Sequence, residues 1–156
     1  MRPGPREEAL KRAYKFLGYR ARSEAEVRLK LTQLGFSQET VETTLEKLRS
    51  LNFLNDEAFA RGWVLERVEN RGYGPLRVEQ ELRRKGIANS LISRIMQEAF
   101  GQQEVKKKAR KLLEKRFKGK DLANMKMLRR AVWFLRRRGY RNSLIAELLH
   151  QATRGE

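Results

Sequence analysis

Within "NMKMLRRAVWFLRRRGY" (Asn124–Tyr140), Lys126, Arg129, Arg130, Trp133, Arg136 and Arg137 recur at i, i+3, i+4, i+7, i+10 and i+11. On a helix that spacing gathers five cations around one tryptophan on a single face. Such a face suits phosphates with a base stacked on the indole, or an acidic protein groove with an apolar anchor. It equally suits a tryptophan at the edge of a core, with arginine stems lying over it and their charged heads in water. The residue types leave both readings open. A second basic stretch, "NRGYGPLRVEQELRRKGI" (Asn70–Ile87), adds Arg71, Tyr73, Arg77, Arg84 and Lys85 as candidate contacts. Lys107, Lys111, Lys115 and Lys118 form a further row, which alone reads as a solvated face.

No constellation for catalysis assembles. The chain has no cysteine and one histidine, His150, which lies in a charged C-terminal segment with no thiol to pair with. Disulfides, thiolate metal sites and Cys/His nucleophile pairs are therefore excluded. The pairs Glu24/Glu26 and Glu79/Glu81 are two apart, so on a helix they point different ways and read as partners for nearby Arg and Lys. Phosphate-binding glycine motifs and nucleophile elbows are absent. Neither a cofactor nor a metal is implied, and the function should lie in a binding surface rather than in an enzyme site.

The charge pattern says where. The formal net charge is +17, and residues 105–156 hold 17 Lys and Arg against 4 Asp and Glu, a net +13. Solubility does not require that much, so the expected partner is acidic or polyanionic. No apolar run approaches the ~18–20 residues of a membrane span, and "MRPGPREEAL" lacks an apolar signal region. A cytoplasmic protein without a membrane segment is expected, with a monomer as its form.

These surfaces need elements to hold them, and the chain supplies one element three times. "VRLKLTQLGF" (Val27–Phe36), "VEQELRRKGI" (Val78–Ile87) and "AVWFLRRRGY" (Ala131–Tyr140) each place an apolar residue eight positions before a glycine and leucine four before it. A large apolar residue follows each glycine, and Gly35, Gly86 and Gly139 are 51 and 53 residues apart. Beyond them, Val41, Leu45 and Leu48, then Ile92, Met96 and Ala99, then Ile145, Leu149 and Ala152 keep one helical face apolar. The glycines suit the left-handed position that ends a helix, and Ser37, Asn89 and Asn142 are the expected N-caps of the next helices. A further apolar-periodic segment precedes each pair: Glu7–Leu17, Asp56–Asn70 and Glu104–Phe117. The reading is all-α: three tandem three-helix repeats, 1–53, 54–100 and 101–156, docked into an elongated, curved molecule.

In that frame the punctuation of Asn70–Ile87 is a joint. Gly72 ends one helix, Gly74 takes the N-cap of the next, and Pro75 takes its first turn, where the missing N–H costs nothing. Leu76, Val78 and Leu82 are expected to face inward.

The stretch "LNFLNDEAFARGWVLERVENRGYGPLRVEQELRRKGI" (Leu51–Ile87) resembles the central signature of the RecX family, bacterial regulators of the RecA recombinase. The match falls on Phe53, Leu54, Asn55, Asp56, Phe59, Ala60, Arg67, Gly72 to Pro75, Glu81, Leu82 and Lys85 to Ile87. Arg22–Phe36 and Leu135–Ile145 agree more loosely. Asn55 stands where the family often has a second Asp, a change that should affect only a helix cap. The resemblance implies three tandem three-helix modules and no catalytic residues. It also implies binding to the groove of the RecA–DNA filament, with inhibition of recombinase and coprotease activity. Direct binding to single- or double-stranded DNA through the basic third repeat is the alternative. The family pattern does not supply the contact residues individually; Arg71, Tyr73, Arg77, Arg84, Lys85, Arg129, Arg130, Trp133, Arg136 and Arg137 are candidates on charge and position.

Overall fold

A computed structural model describes residues 2–154, in which nine helices and no strands are found. In chain order they are α1 (Pro5–Tyr19), α2 (Glu24–Gln33), α3 (Gln38–Ser50), α4 (Asp56–Glu69), α5 (Pro75–Arg84), α6 (Asn89–Ala99), α7 (Gln102–Arg116), α8 (Met125–Arg138) and α9 (Asn142–Thr153). Each successive triplet closes on its own buried cluster. Val27, Leu31, Val41 and Leu45 pack beneath Ala9 and Ala13 in the first. Val78, Leu82, Ile92 and Met96 pack with Phe59 and Val64 in the second. Ala131, Leu135, Ile145 and Leu149 pack with Ala109 and Leu113 in the third. The apolar periodicity thus builds three small cores in tandem, as a repeat protein does.

Within each module the middle helix ends on a glycine in the left-handed region: Gly35 at φ 92°, Gly86 at φ 76° and Gly139 at φ 97°. The apolar residue that follows then donates its N–H back to the carbonyl of the leucine four before the glycine. The pairs are Phe36 to Leu31, Ile87 to Leu82 and Tyr140 to Leu135. This is the helix-stop geometry that glycine permits without a Cβ penalty.

Two of the three third helices do not begin where side-chain preference alone would put them. Ser37 is an N-cap as expected, but the caps of α6 and α9 are Ala88 and Arg141, one residue before Asn89 and Asn142. All three caps lie two residues after the repeat glycine. The apolar residues one and six positions past the glycine, buried in the second and third modules with Phe36 half-buried in the first, fix that register, and core packing outweighs the capping preference of asparagine. Asn142 instead accepts a hydrogen bond from Arg136 Nε at 3.2 Å. Leu76 is exposed rather than inward-facing, and Ala152, in the last turn of α9, is exposed as well.

The modules meet end to end through their middle helices. The C-terminal end of α5 abuts the N-terminal end of α2, and the C-terminal end of α8 abuts the N-terminal end of α5. At the first junction Ser23, the N-cap of α2, donates its hydroxyl to Lys85 O at 2.6 Å. At the second, Gly74, the N-cap of α5, donates its backbone N–H to Arg138 O at 2.6 Å. Leu76 N–H donates to Gly139 O at 3.0 Å alongside it. Carbonyls left unpaired at one helix end therefore meet donors at the start of the next, a side-chain hydroxyl at the first junction and backbone N–H groups at the second.

Candidate functional site

The sequence Gly74–Pro75 decides what the second junction looks like. With no side chain at the cap and no N–H on Pro75, the start of α5 is bare backbone, so the end of α8 comes close. A Cβ on Gly74 would lie 2.7 Å from the carbonyl carbon of Gly139. Side chains lock the contact. Arg77 donates to Arg137 O at 2.9 Å while its guanidinium lies 3.7 Å above the Tyr73 ring. Arg138 donates to Arg71 O and lies over Phe134, and buried Tyr140 donates its hydroxyl to Gly72 O at 3.1 Å. Burial raises the Tyr140 hydroxyl to about 12, against a small opposing pull from Arg138.

Beside this contact the two modules enclose a groove of about 1580 Å³. One wall is α8, with Arg129, Arg130, Trp133 and Arg137; the other is the α4–α5 joint, with Arg71, Tyr73 and Arg77. Arg116, Phe117 and Lys120 close one end, from the segment that leads into α8. Nine cations line it and one carboxylate, Glu66, which is itself engaged by Arg67 and by Arg71 at 3.5 Å. Trp133 is 60% exposed, so the indole is a surface group and not a core-edge residue.

Seven of the ten residues singled out by sequence are thus gathered in one groove. Arg84 and Arg136 lie elsewhere, lining a shallower depression with Arg77 and Arg137. Lys85 belongs to the first junction, 3.6 Å from Glu26 and 5.0 Å from the Trp63 ring. Sequence reasoning missed Arg116, Lys120 and Arg138. Arg138 was legible as the residue before the repeat glycine, the position whose carbonyl makes the junction; Arg116 ends α7 and Lys120 lies in the loop after it, and neither carried a periodic signal. Among the described residues, no group of three or more His, Cys, Asp or Glu is placed to hold a metal ion, and no helix is long and apolar enough to cross a membrane.

Comparison with known proteins adds to this geometry. The family description "RecX, first three-helix domain" matches residues 9–48, and "RecX, second three-helix domain" matches residues 55–96. A regulatory protein RecX from Trichlorobacter lovleyi is 35% identical over 129 residues, covering 81% of this chain and 84% of that one. The chain belongs to the RecX family. The regulatory protein RecX of Mycolicibacterium smegmatis is 33% identical over 152 residues, 94% of this chain and 81% of its own. The crystal structure of RecX from Lactobacillus salivarius superposes with a TM-score of 0.81 at 21% identity, covering 97% of this chain and 98% of that one, which is a likeness of fold. Asn55, the departure noted in the RecX signature, still caps α4 by accepting the Ala58 N–H at 3.1 Å.

Proposed function

We propose that this chain is a non-catalytic negative regulator of the RecA recombinase in the cytoplasm. It lies along the helical groove of the RecA–DNA filament, limits filament growth, and so inhibits recombinase, ATPase and coprotease activities. The observation that carries this reading is the similarity, across more than four-fifths of both chains, to proteins named as regulatory RecX. The architecture supports it physically. Residues 1–53, 54–100 and 101–156 act as three linked contact modules, and linked weak contacts along a regular polymer add through effective concentration. The cations of the second and third modules face the partner.

The deciding measurement is RecA ATPase on single-stranded DNA with increasing amounts of this protein. Inhibition at substoichiometric ratios is expected, because one bound copy at a growing filament end affects many subunits. No effect at any ratio would remove the reading. The triple reversal Arg129→Glu, Arg136→Glu, Arg137→Glu should keep its helix content and lose inhibition. If the folded triple variant inhibits undiminished, the third-module face is not the contact.

A further inference from the structure

We propose that the molecule carries a head-to-tail docking site for a second copy of itself. The free C-terminal end of α2 receives the free N-terminal end of α8 from the next copy, repeating between chains the junction made twice within one. This goes beyond contact with RecA and does not depend on it.

The order of the middle helices leaves two ends without a neighbour. The end of α8 abuts the start of α5 and the end of α5 abuts the start of α2, so the end of α2 and the start of α8 are the outer ends of the row. Inside the row each repeat glycine is covered by the next module. A Cβ on Gly86 would overlap the Ala25 Cβ, and one on Gly139 would overlap the Arg77 Cβ. A Cβ on Gly35 would meet nothing within 4 Å. The same seat is built three times and filled twice.

The empty seat keeps its acceptors. Lys85 O, Arg138 O and Gly139 O take bonds from the module beyond, whereas the matching Leu34 O and Gly35 O accept none among the described residues. A matching donor stands at the other end of the row. At the first junction Ser23 works in both directions, accepting the Glu26 N–H of its own helix and donating its hydroxyl to Lys85 O. Asn124, the N-cap of α8, uses its Oδ1 to accept the N–H groups of Lys126 and Met127. That fixes its Nδ2 as an outward donor, and it makes no bond among the described residues.

The side chains at the two ends suit each other. At the filled seats the residue before the glycine is Lys85 or Arg138, and each reaches onto the neighbouring module. At the empty seat it is Leu34, which is exposed, and Met125 in the first turn of α8 is exposed as well. The ends of a repeat array ordinarily present polar outer faces, because an apolar end invites further stacking. The two ends are different surfaces, so the contact is heterologous and adds copies in a row instead of stopping at a symmetric pair. A contact confined to two helix ends is well below the ~1,000 Å² of a stable interface, so dilute protein stays monomeric. High concentration, or a linear partner that aligns successive copies, brings the contact out. Both ends belong to basic modules, with 11 Lys and Arg against 7 Asp and Glu in residues 1–53 and 17 against 4 in residues 105–156. Salt that screens their repulsion therefore strengthens the contact.

The chain has no cysteine, so introduced thiols report the geometry directly. Leu34→Cys mixed with Met125→Cys should give a dimer with a short bismaleimide, and the double variant should give a ladder of higher species. Either single variant alone should cross-link only at the level of random collision. So should Leu34→Cys mixed with Leu65→Cys, an exposed site on the middle module. Sedimentation equilibrium of the unaltered protein up to ~1 mM should show a weight-average mass that rises past two copies, and rises further with added salt. Asn124→Asp keeps the cap oxygen for α8 and replaces the donor by an anion, so helix content should persist while association weakens roughly ten-fold. The proposal is overturned if the unaltered protein stays monomeric over that range, or if its mass levels off at two copies, which would mean a symmetric pair. It is equally overturned if same-site thiols cross-link as well as the mixed pair, if association weakens with salt, or if Asn124→Asp associates undiminished. RecA inhibition by single copies can persist in any of these cases, so failure here is distinguishable from failure of the regulatory reading.

Discussion

The two junctions join equivalent helix ends with different chemistry. At the first, side chains do the work: Ser23 caps α2, the Glu26 carboxylate accepts the Ser23 N–H, and Asp56 reaches across from α4 to accept the Glu24 N–H at 2.8 Å. Arg49 and Arg28 hold Glu24, while Arg20, Arg22 and Lys85 surround Glu26. The Arg49 hydrogen bond takes the Glu24 carboxyl below its usual range. Burial pushes Glu26 up, but Arg20, the Ser23 N–H and Lys85 outweigh it and leave it lowered. At the second junction the helix start has no side chain to offer, and backbone meets backbone. A side-chain junction tolerates exchange of one group at a time. A backbone junction is closer, holds the groove walls at a fixed spacing, and tolerates little.

The sharpest way to break this contrast is a methyl group at each repeat glycine. On Gly139 the new Cβ would lie 2.6 Å from the Arg77 backbone nitrogen, where no side-chain change can make room. Gly139→Ala should cost about 3 kcal/mol or more, combining left-handed strain with forced separation of the modules. On Gly86 the obstacle is the Ala25 side chain. Gly86→Ala should therefore be partly rescued by Ala25→Gly, whereas Arg77→Gly should not rescue Gly139→Ala. Gly35 has no neighbour within 4 Å, so Gly35→Ala should cost only the backbone strain, about 1 kcal/mol. Denaturant unfolding of the five variants checks the series, and equal losses at all three glycines would remove the distinction between junctions.

Alkali should separate the junctions next. Tyr140 has a folded value of about 12 against an ordinary value near 10. Below pH 10 both states keep the proton and nothing changes. Between 10 and 12 the unfolded chain ionises first, so stability falls as pH rises through that window. The loss approaches about 2–3 kcal/mol. The phenolate would also lose its bond to Gly72 O. Tyr140→Phe should flatten this part of the pH–stability curve, measured as the difference from the parent protein at pH 9 and 11.5. The lowered carboxyls of the first junction act at the other end of the scale, and their contribution is lost as pH falls through their folded values.

Much of this was legible in the sequence because repeats report their own architecture. The glycine spacing and the apolar positions around it were enough for nine helices in three modules, since only the inward face of each helix is constrained. The Asn89 and Asn142 caps were misplaced because local preference was weighed before repeat register. Trp133 was ambiguous in principle: helical periodicity fixes a face, not how deep its edge lies. The groove itself was hidden, because its two walls are about sixty residues apart and meet only through the Gly74–Gly139 contact. The junction ion pairs were hidden for the same reason. The acidic pairs were read correctly as salt-bridge partners, without any indication that Glu24 and Glu26 bind the first module to the second.

A smaller effect is expected at Ser23, which is fully buried and makes two bonds at once. Ser23→Ala removes the acceptor for the Glu26 N–H and the donor for Lys85 O. The cost should be about 1–2 kcal/mol, the upper part of the range for a lost N-cap, because the orphaned groups are shielded from water. The equivalent position in the next module is Gly74, where the donor is backbone and survives any side-chain change. Urea midpoints for Ser23→Ala and for Ser23→Thr, which keeps the hydroxyl, distinguish loss of the bond from loss of fit. If both variants fall equally, the hydroxyl is not what joins these modules.

The smallest effect tests whether the first junction needs charge or only an acceptor. Burial raises the Asp56 carboxyl above its usual value, and the bond from the Glu24 N–H offsets this only in part. Its ionised form is therefore disfavoured in the folded protein even though its oxygen is well used. Asp56→Asn retains an acceptor oxygen and removes the half-buried charge, so at pH 7 it should lie within about 0.5 kcal/mol of the parent. Asp56→Ala leaves the Glu24 N–H without a partner and should cost about 1 kcal/mol. The sign with pH is fixed by the direction of the shift. As pH falls through the raised folded value, the folded state takes up the proton before the unfolded chain does, so the parent gains stability relative to Asp56→Asn. A parent that instead lost ground to Asp56→Asn on acidification would mean that the carboxylate charge itself, drawn to Arg28 and Arg49, holds the first junction. The two junctions would then differ as ionic against backbone contacts, and not as side-chain against backbone hydrogen bonding.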